Sequence, residues 1–352
     1  DNTAVGAAAL EDNTTGTNNT AVGRTALANN IDGNNNTAVG RDALKTATTA
    51  DNNTAVGYNA LLLNTTGIQN TAIGQAALDS NTTANYNIGV GANALGVNTT
   101  GASNTAVGTF ALDANTTASN NTAVGYAALS ANTTASNNTA VGREALVTNN
   151  TGDGNNVGVG YRSLYVNATG ALNVAVGNFA LKQNTTASNN TAVGSNSLTT
   201  NTTGPRNVAL GYEAAKSNTT GDAGTALGYE ALRTNTTGNY NTAVGKGALY
   251  ANPTASNNSA FGFNALAANT TGNFNTAVGY EAGANVTTGT TSIYLGYDAK
   301  PAAATDSENI VIVADGSGAG RVGKGSNTGF INANLGSIYQ GNNSASWATT
   351  SD

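Results

Sequence analysis

A glycine recurs at every seventeenth position along most of this chain, and that short fixed period is the strongest constraint on its fold. The glycine closes an Asn-Thr-Ala-Val-Gly motif, and the interval between Gly142 and Gly160 departs from the period by a single extra residue. A period this short indicates a solenoid, in which every repeat forms one coil stacked on the previous coil. The motif glycines are Gly6, Gly23, Gly40, Gly57, Gly74, Gly91, Gly108, Gly125, Gly142, Gly160, Gly177, Gly194, Gly211, Gly228, Gly245, Gly262, Gly279 and Gly296.

The composition argues against several classes of function. Only 9% of residues are charged and the formal net charge is -6, so the chain offers no basic footprint for a nucleic acid. Cys, Met and His are absent, which excludes disulfides, thiol chemistry and the usual zinc or imidazole sites. No apolar run approaches the length of a membrane span. We therefore expect no nucleic-acid partner, no cofactor and no membrane insertion.

Two positions of the motif share one side of a predicted strand. The residue before the glycine is always apolar, as in Val22, Ile73 and Leu210, and the Thr two positions earlier is replaced by Ile88 or Val157 in some coils. Because side chains alternate along a strand, these two positions face the same way. Their aliphatic and β-branched character predicts that this face is buried.

A second inward-facing element follows the glycine. An Ala-Leu pair, such as Ala26 and Leu27, occupies the third and fourth positions after it. The variable pair between the glycine and this alanine holds much of the charge, as in Arg41 and Asp42, and we expect both members outside. The Asn-Thr-Thr-Gly stretch supplies the return corner, because Asn and Gly accept left-handed backbone angles at low cost.

The period and these faces predict an all-β fold, a parallel β-solenoid of about 18 coils with a C-terminal β cap. At about 4.8 Å per coil, such a rod is on the order of 85 Å long. Each coil buries few large side chains, at roughly 1.5–3 kcal/mol each, against an ordering cost of about 1–2 kcal/mol per residue. We therefore expect a homotrimer whose coils share a central apolar seam, and the alternative is a monomeric solenoid.

The recurring polar residues have two interpretations each. Asn precedes the glycine by four positions and recurs in Asn-Thr-Thr, which predicts stacked amide ladders, although Asn-Thr-Thr also fits the acceptor pattern for glycosylation. Glycans on every coil would crowd the spacing between coils, which favours the ladders. The stacked threonines are typical of turn chemistry, and a flat hydroxyl array that binds ice is the alternative.

Aromatic residues follow the motif glycine in many coils, and Phe263 is equivalent to them. We expect this aromatic column to be exposed. Lateral stacking that stiffens the rod is the favoured role, and stacking on the sugar rings of a surface polysaccharide is the alternative. The tyrosines of the column are Tyr58, Tyr126, Tyr161, Tyr212, Tyr229, Tyr280 and Tyr297.

The carboxylates do not suggest a catalytic pair. Asp42, Glu144 and Glu213 are expected at exposed corners, without a His and without a long loop to build a cleft. We therefore predict that the chain is not an enzyme, and hydrolysis of a glycan by two carboxylates is the alternative. The extra residue lies within 148–156, where a bulged corner is expected, with a calcium site at Asp153 as the alternative.

The repeat ends near residue 300, which predicts a shaft over 1–300 and a cap or tip over 301–352. Pro301 suits the edge of a stack because it cannot donate to a ladder. The apolar segment 309–313 follows, and then a more aromatic tail. Asp1 falls inside a repeat, so we expect the chain to begin within a longer protein, as a processed product for example.

The Asn-Thr-Ala-Val-Gly repeats over about 1–300 resemble those of phage tail-fibre-like proteins. More loosely, they resemble the coiled heads of trimeric autotransporter adhesins, which use a similar strand but shorter coils. The closing GSIYQGNNSASWATTSD resembles the junction upstream of the autocleaving intramolecular chaperone of many tail spikes and fibres. This resemblance implies a trimeric β-rich shaft whose chaperone is cut away after folding.

These observations predict a non-enzymatic tail fibre of a bacterial virus, located on the virion and attached to a host-surface polysaccharide or protein. Its other partners would be further copies of the chain and other tail proteins. A bacterial surface adhesin and an ice-binding solenoid are the alternatives. The residues expected to contact a receptor at the tip, chosen for their aromatic or basic character and position, are Arg321, Lys324, Phe330, Tyr339 and Trp347.

Overall fold

A computed structural model describes residues 1–149, 154–313, 321–333, 336–340 and 348–350. For residues 321, 332, 333, 336–340 and 348–350 it describes the backbone alone. The described chain contains strands and turns and no helix. The strands of the repeats have three residues each, and they alternate with turns that complete the coil.

The strands are β1 Thr3–Val5, β2 Thr20–Val22, β3 Thr37–Val39, β4 Thr54–Val56, β5 Thr71–Ile73, β6 Ile88–Val90, β7 Thr105–Val107, β8 Thr122–Val124, β9 Thr139–Val141, β10 Val157–Val159, β11 Val174–Val176, β12 Thr191–Val193, β13 Val208–Leu210, β14 Thr225–Leu227, β15 Thr242–Val244, β16 Ser259–Phe261, β17 Thr276–Val278, β18 Ile293–Leu295, β19 Ala299–Lys300, β20 Ile310–Val313, β21 Arg321–Val322, β22 Gly329–Ala333, β23 Gly336–Gln340 and β24 Ala348–Thr350.

The chain divides into two compact units, Asp1–Asn178 and Phe179–Asp352. In the first unit, β1 to β11 pair in sequence order, in parallel and without slippage, so that Thr3 lies opposite Thr20 and Val157 opposite Val174. In the second unit, β12 to β18 pair in the same way. The predicted all-β parallel solenoid is confirmed, with about 19 turns in total.

The strands face the opposite way from the prediction. In the repeats after the first, the central residue of the strand is buried, whereas the flanking Thr and apolar residue are half-buried or exposed. In β2, for example, Ala21 is fully buried between half-buried Thr20 and Val22. The prediction that the two flanking residues share one face is correct. The prediction that this face is buried is wrong, because the interior has room only for the small central residue.

The opposing wall of the solenoid explains this need for a small residue. In the coil where Gly89 replaces the central alanine, a β-carbon at this position would lie 3.3 Å from Cγ of Leu78. The leucine of the Ala-Leu pair, which is fully buried in most coils, therefore reaches across the interior to the strand. One leucine and two alanines fill the apolar part of a coil, and a valine at the strand centre would meet that leucine.

The leucine reaches the interior through an unusual backbone conformation. Leu27 and Leu44 both have a φ of 52°, in the left-handed region that L-residues other than Asn and Gly rarely adopt. The same conformation recurs at the equivalent leucines of the other coils, so the backbone turns sharply at a side chain that is itself buried. The predicted inward position of the Ala-Leu pair is confirmed.

Two asparagines in each coil form columns inside the solenoid. Asn36 donates from Nδ2 to the carbonyl of Ala50 at 2.7 Å, and its backbone N–H donates to Oδ1 of Asn19 at 2.9 Å. In the second column, Nδ2 of Asn81 donates to Oδ1 of Asn64 at 2.8 Å. These asparagines are buried, which confirms the predicted amide ladders. A fully buried asparagine such as Asn64 is not accessible for glycosylation in the folded chain.

The first threonine of the Asn-Thr-Thr stretch also bonds to the next coil. The hydroxyl of Thr65 donates to the carbonyl of Thr82 at 3.1 Å, and the hydroxyl of Thr82 donates to the carbonyl of Thr99 at 3.2 Å. These contacts are the turn chemistry predicted for the corner. Because these hydroxyl groups donate to backbone carbonyls, their protons are not available to an ice-binding hydroxyl array at this corner.

The longer repeat, between Gly142 and Gly160, keeps the register of both the strands and the amides. Val157 pairs with Thr139, and the backbone N–H of Asn156 donates to Oδ1 of Asn138 at 3.1 Å. The extra residue is therefore accommodated between Asn149 and Asn156 without displacing the strand. Asp153, the alternative calcium site at this corner, lies outside the described residues.

The core changes its composition near residue 290. Gly283 stands where earlier coils have the leucine, and Tyr294 replaces the alanine at the centre of β18. A β-carbon at Gly283 would lie 2.9 Å from both Tyr294 and Leu266, so the buried tyrosine ring occupies the volume that the missing leucine leaves. The loss of the repeat pattern in the sequence therefore reflects a compensated substitution, in which the tyrosine at the strand centre replaces the leucine in the core.

Parallel pairing continues past the predicted boundary at residue 300. Ile293 lies opposite Ile310, and β20 in turn pairs in parallel with β22. The sheet then changes direction, because β22 with β23 and β23 with β24 are antiparallel pairs. The predicted C-terminal cap is therefore made of β-strands, and these strands continue the sheet of the second unit.

Candidate interaction surfaces

The outward side of the strands, here called the strand face, consists of the first and third residue of each repeat strand. Parallel pairing without slippage aligns these residues in two rows within each unit, with neighbours about 4.8 Å apart. Aliphatic side chains on it are well exposed, including Ile73 at 41%, Leu210 at 44% and Val278 at 43%. No residue of the strand face in the described repeats is charged.

The substitutions within the strand face keep it apolar. Where the first-row threonine is replaced, the substitute is aliphatic, with Ser259 as a polar exception; the aliphatic substitutes are Ile88, Val157, Val174, Val208 and Ile293. Rows of exposed aliphatic side chains without charge are uncommon on the surface of a monomeric protein and mark contact sites. Sequence reasoning identified these residues as apolar, but it assigned them to the interior of the coil.

The aromatic column is exposed, except that Tyr161 and Phe263 are half-buried, and it stacks on itself in the second unit. The rings of Tyr212 and Tyr229 are 5.2 Å apart with an angle of 20° between their planes. Phe263, Tyr280 and Tyr297 form a continuous stack with spacings of 5.0 and 5.2 Å. Neighbouring rings cover one another's faces, whereas a sugar ring would need a free face. This geometry supports the lateral-stacking interpretation for these tyrosines.

Cations occupy the interruptions of the column. In the second unit the Lys246 ammonium lies 5.5 Å from the ring centre of Tyr229 and 5.7 Å from that of Phe263. In the first unit, the Arg143 guanidinium lies 5.7 Å from the ring centre of Tyr126 and 5.9 Å from that of Tyr161. These cation–π contacts connect coils where the direct stacking of rings is broken.

The carboxylates two positions after the glycine are more covered than predicted. The side chain of Glu213 is 8% exposed and accepts hydrogen bonds from Lys216 and Arg233, both at 2.7 Å. The hydrogen bond from Lys216 is the main cause that lowers the pKa of Glu213, and Arg233 adds to it. The outside position predicted for both members of the variable pair is therefore wrong for the second member. The reason is its left-handed backbone, with a φ of 53° at Glu213, which turns the side chain along the coil.

The same pairing occurs in the first unit. Glu144 accepts hydrogen bonds from Arg162 at 2.6 Å and from Arg143 at 3.2 Å, and the bond from Arg162 is the largest cause of its lowered pKa. The pKa of Asp42 is lowered mainly by the hydrogen bond from Thr25. Carboxylates held ionised by neighbouring donors stabilise the contact between coils.

A groove in the first unit was missed by sequence reasoning. It has a volume of about 350 Å³ and lies between Asp79 and Asp113, where the intervening coil contributes Gly96. Burial raises the pKa of both carboxyl groups. The available signal was two aspartates at the same position of the repeat, two repeats apart, with a glycine at that position in the repeat between them.

The residues predicted for a receptor-binding tip are only partly described. Phe330 is 5% exposed, and the ammonium of the exposed Lys324 lies 5.7 Å from its ring centre. The backbone of Tyr339 pairs with Phe330 between β23 and β22, and Arg321 lies in β21. Trp347 lies outside the described residues.

Comparison with protein-family models, with curated proteins and with solved structures finds no match to this chain. Within the described ranges, no helix is long and apolar enough to cross a membrane. The same part of the chain contains no group of three or more Asp, Glu, His or Cys side chains arranged to hold a metal ion.

Proposed function

We propose that this chain forms the shaft of a homotrimeric fibre, and that the fibre belongs to the tail of a bacterial virus and attaches it to its host. The observation that supports this proposal is the strand face, with its two uncharged rows of exposed aliphatic and threonine side chains. Three copies that pack these faces together would remove the rows from water. The contact repeats with every coil, so its free energy would grow with the number of coils.

The interior of the coil gives a second reason for association. Its core consists of one leucine, small residues and two asparagines per coil, so the apolar area buried inside one chain is modest. Hydrogen bonds of the amide columns satisfy most polar atoms of the buried asparagines, but each hydrogen bond adds little net stability, about 0.5–1.5 kcal/mol. Burial of the strand face against further copies would supply the missing apolar contribution.

Attachment would use surfaces outside the seam. In the first unit, the groove between Asp79 and Asp113 lies on coil positions that the strand face does not include. A trimer presents each such surface three times, so that weak individual contacts with a host polysaccharide or protein add through avidity. The tip residues of the second unit and further tail proteins would complete the attachment apparatus.

The first test is the mass of the purified chain in solution, measured by light scattering. We expect a mass near three times 34.7 kDa. Val107→Lys, at a strand-face position that is 37% exposed, should shift this mass towards that of the monomer. Thr117→Lys, at an exposed return corner, is the matched control and should leave the trimer intact. A wild-type monomer at all concentrations would refute the proposal.

Ice binding is the second candidate, and the strand face supports it as well. Its first row is mostly threonine on a regular strand surface, a better array than the Asn-Thr-Thr corner considered from the sequence. The aliphatic replacements in that row and the varied size of the second row, from Val193 to Phe261, favour contact with protein. A monomer that shows thermal hysteresis would establish ice binding in place of the fibre.

A further inference from the structure

Some charged residues of the solenoid pair between two positions of the coil. In three coils an acidic residue two positions after the motif glycine pairs with a basic residue three positions further on. Asp42 pairs with Lys45 at 3.4 Å, Glu213 with Lys216 at 2.7 Å, and Glu230 with Arg233 at 3.3 Å. These pairs show how a charge at the later position, the fifth after the glycine, can be neutralised within its own coil.

Asp79 and Asp113 occupy that fifth position but lack the matching charge. The residues three positions before them are Ala76 and Phe110. Oδ1 of each aspartate is buried and has no hydrogen-bond partner. Burial disfavours the ionised form and raises the pKa of both groups, while hydrogen bonds from the backbone N–H groups of Asp113 and Ala114 partly offset this effect on the pKa of Asp113.

The coil between the two aspartates opens the groove to a ligand. Its fifth position is Gly96, so no side chain fills the space between the carboxylates. The remaining lining is partly apolar, from Val97 and Phe110, and partly polar, from Ser80 and Asn93. No basic side chain lines the groove. The groove therefore combines two acceptors that lack a cation with an aromatic ring and neutral polar groups.

We propose that this groove binds a protonated amino-sugar oligomer, in which one ammonium group pairs with Asp79 and another with Asp113. Each ammonium donates to one carboxylate in charge-assisted hydrogen bonds. Phe110 and Val97 would contact the apolar face of the sugar ring, and Ser80 and Asn93 its hydroxyl groups. The volume of about 350 Å³ lies within the range of small-molecule sites.

A divalent metal ion fits this groove less well. Calcium takes about 6–8 oxygen ligands at short range. Two carboxylates in coils that are separated by a third coil do not provide such a shell, and the apolar lining adds no ligand. The amino-sugar assignment rests on the proposed attachment function, since a host-surface polysaccharide is the source of such a ligand.

The test is titration of the full-length chain with glucosamine oligomers, followed by calorimetry, beside the N-acetylated oligomers of equal length. We expect binding of the amine form and at least about tenfold weaker binding of the acetylated form, which cannot carry the charge. Asp79→Asn and Asp113→Asn should each weaken the binding of the amine form by about tenfold or more. Glu11→Gln, at the same coil position but exposed and outside the groove, is the matched control and should leave binding unchanged.

Gly96→Lys is the variant that separates binding from folding. Lys45 and Lys216 occupy the same coil position, and a β-carbon at Gly96 would lie 3.3 Å from its nearest neighbour, so we expect the chain to fold. The new ammonium should pair with one of the aspartates and fill the groove, and it should therefore abolish binding of the amine form and raise the melting temperature. Equal affinity for amine and acetylated oligomers, or binding that survives Gly96→Lys, would overturn the proposal. A trimer that does not bind the amine form would refute this site while leaving the fibre proposal intact.

Discussion

At the scale of single residues, the motif glycine combines two requirements that no other residue meets. At Gly40 the backbone φ is 134°, and a β-carbon there would lie 2.5 Å from the carbonyl oxygen of Gly57 in the next coil. The glycines form a column in which each backbone packs directly on the next. Both the dihedral angle and the close approach explain why this position, alone in the repeat, is glycine in every coil.

We predict that Gly40→Ala lowers the free energy of unfolding by about 1–3 kcal/mol, because the side chain imposes backbone strain and displaces the neighbouring coil. Denaturant unfolding followed by circular dichroism measures the change. The control is Gly96→Ala, at a glycine whose φ is not positive and whose added β-carbon would lie 3.3 Å from its nearest neighbour, against 2.5 Å at Gly40. An effect no larger than that of the control would show that the column can shift at no cost.

The residue scale also shows where sequence reasoning reached its limit. The recurrence of Asn predicted the buried ladders correctly, because a recurring polar residue in a stack of coils needs an equivalent partner in the next coil. The groove at Gly96 was not predicted, because it depends on charges that are missing at Ala76 and Phe110. The missing basic partners at Ala76 and Phe110 can be recognised only by comparison with the ion pairs that other coils form between the same two positions.

At the scale of elements, the strand and the two amide columns depend on each other. Asn81 donates to Oδ1 of Asn64 at 2.8 Å and to the carbonyl of Ala84 at 3.0 Å, and it accepts from Nδ2 of Asn98 at 3.0 Å. One side chain thus connects three coils and closes its own corner. Removal of such a side chain leaves buried polar groups of its neighbours without partners.

Asn81→Ala should therefore destabilise the chain by about 1–3 kcal/mol or more, since several buried groups lose a partner. The measurement is thermal or denaturant unfolding at constant protein concentration. Asn29→Ala, which removes an exposed asparagine of the same coil type, should change the stability by less than about 0.5 kcal/mol. Similar losses for both variants would contradict a structural role of the ladder.

The strand is the element whose orientation the sequence did not decide. Alternation requires Thr20 and Val22 to share a face but leaves open which face is inside. Hydrophobicity favoured burial of Val22, whereas the size of Leu27, reaching across a narrow interior, requires Ala21 there. The choice depends on the width of the coil, which is a tertiary property.

At the scale of the whole molecule, each unit is built from coils that contact their neighbours through the same hydrogen bonds. Backbone bonds, amide columns and the glycine column all connect equivalent positions of successive repeats. The longer repeat keeps these connections because its extra residue lies between the aligned positions. Stacking therefore requires that equivalent residues of successive coils align, whereas the sequence of an individual coil can vary.

We predict that deletion of residues 54–70, which joins Asn53 to Thr71 and restores an intact motif, yields a folded chain. Its circular dichroism spectrum should match that of the wild type, and its melting temperature should change little, because stability in a solenoid is a sum over neighbouring coils. Deletion of 41–56 is the matched control, because it joins Gly40 to Gly57 and leaves one extra glycine between the strand and the Ala-Leu pair. The strand and the buried leucine cannot then both align with the neighbouring coils, so the coils near the junction should unfold. Equal stability of the two deletions would refute the register argument.

The constancy of that register has a consequence for the inheritance of the chain. Unequal recombination between two repeats of the gene adds or removes whole repeats, and each product keeps its columns and strand pairs aligned. The chain can therefore become longer or shorter by whole repeats without an intermediate sequence that fails to fold. The number of coils is a quantity that selection adjusts directly, whereas the substitutions at Gly96, Tyr294 and the strand face record what individual coils have acquired since duplication.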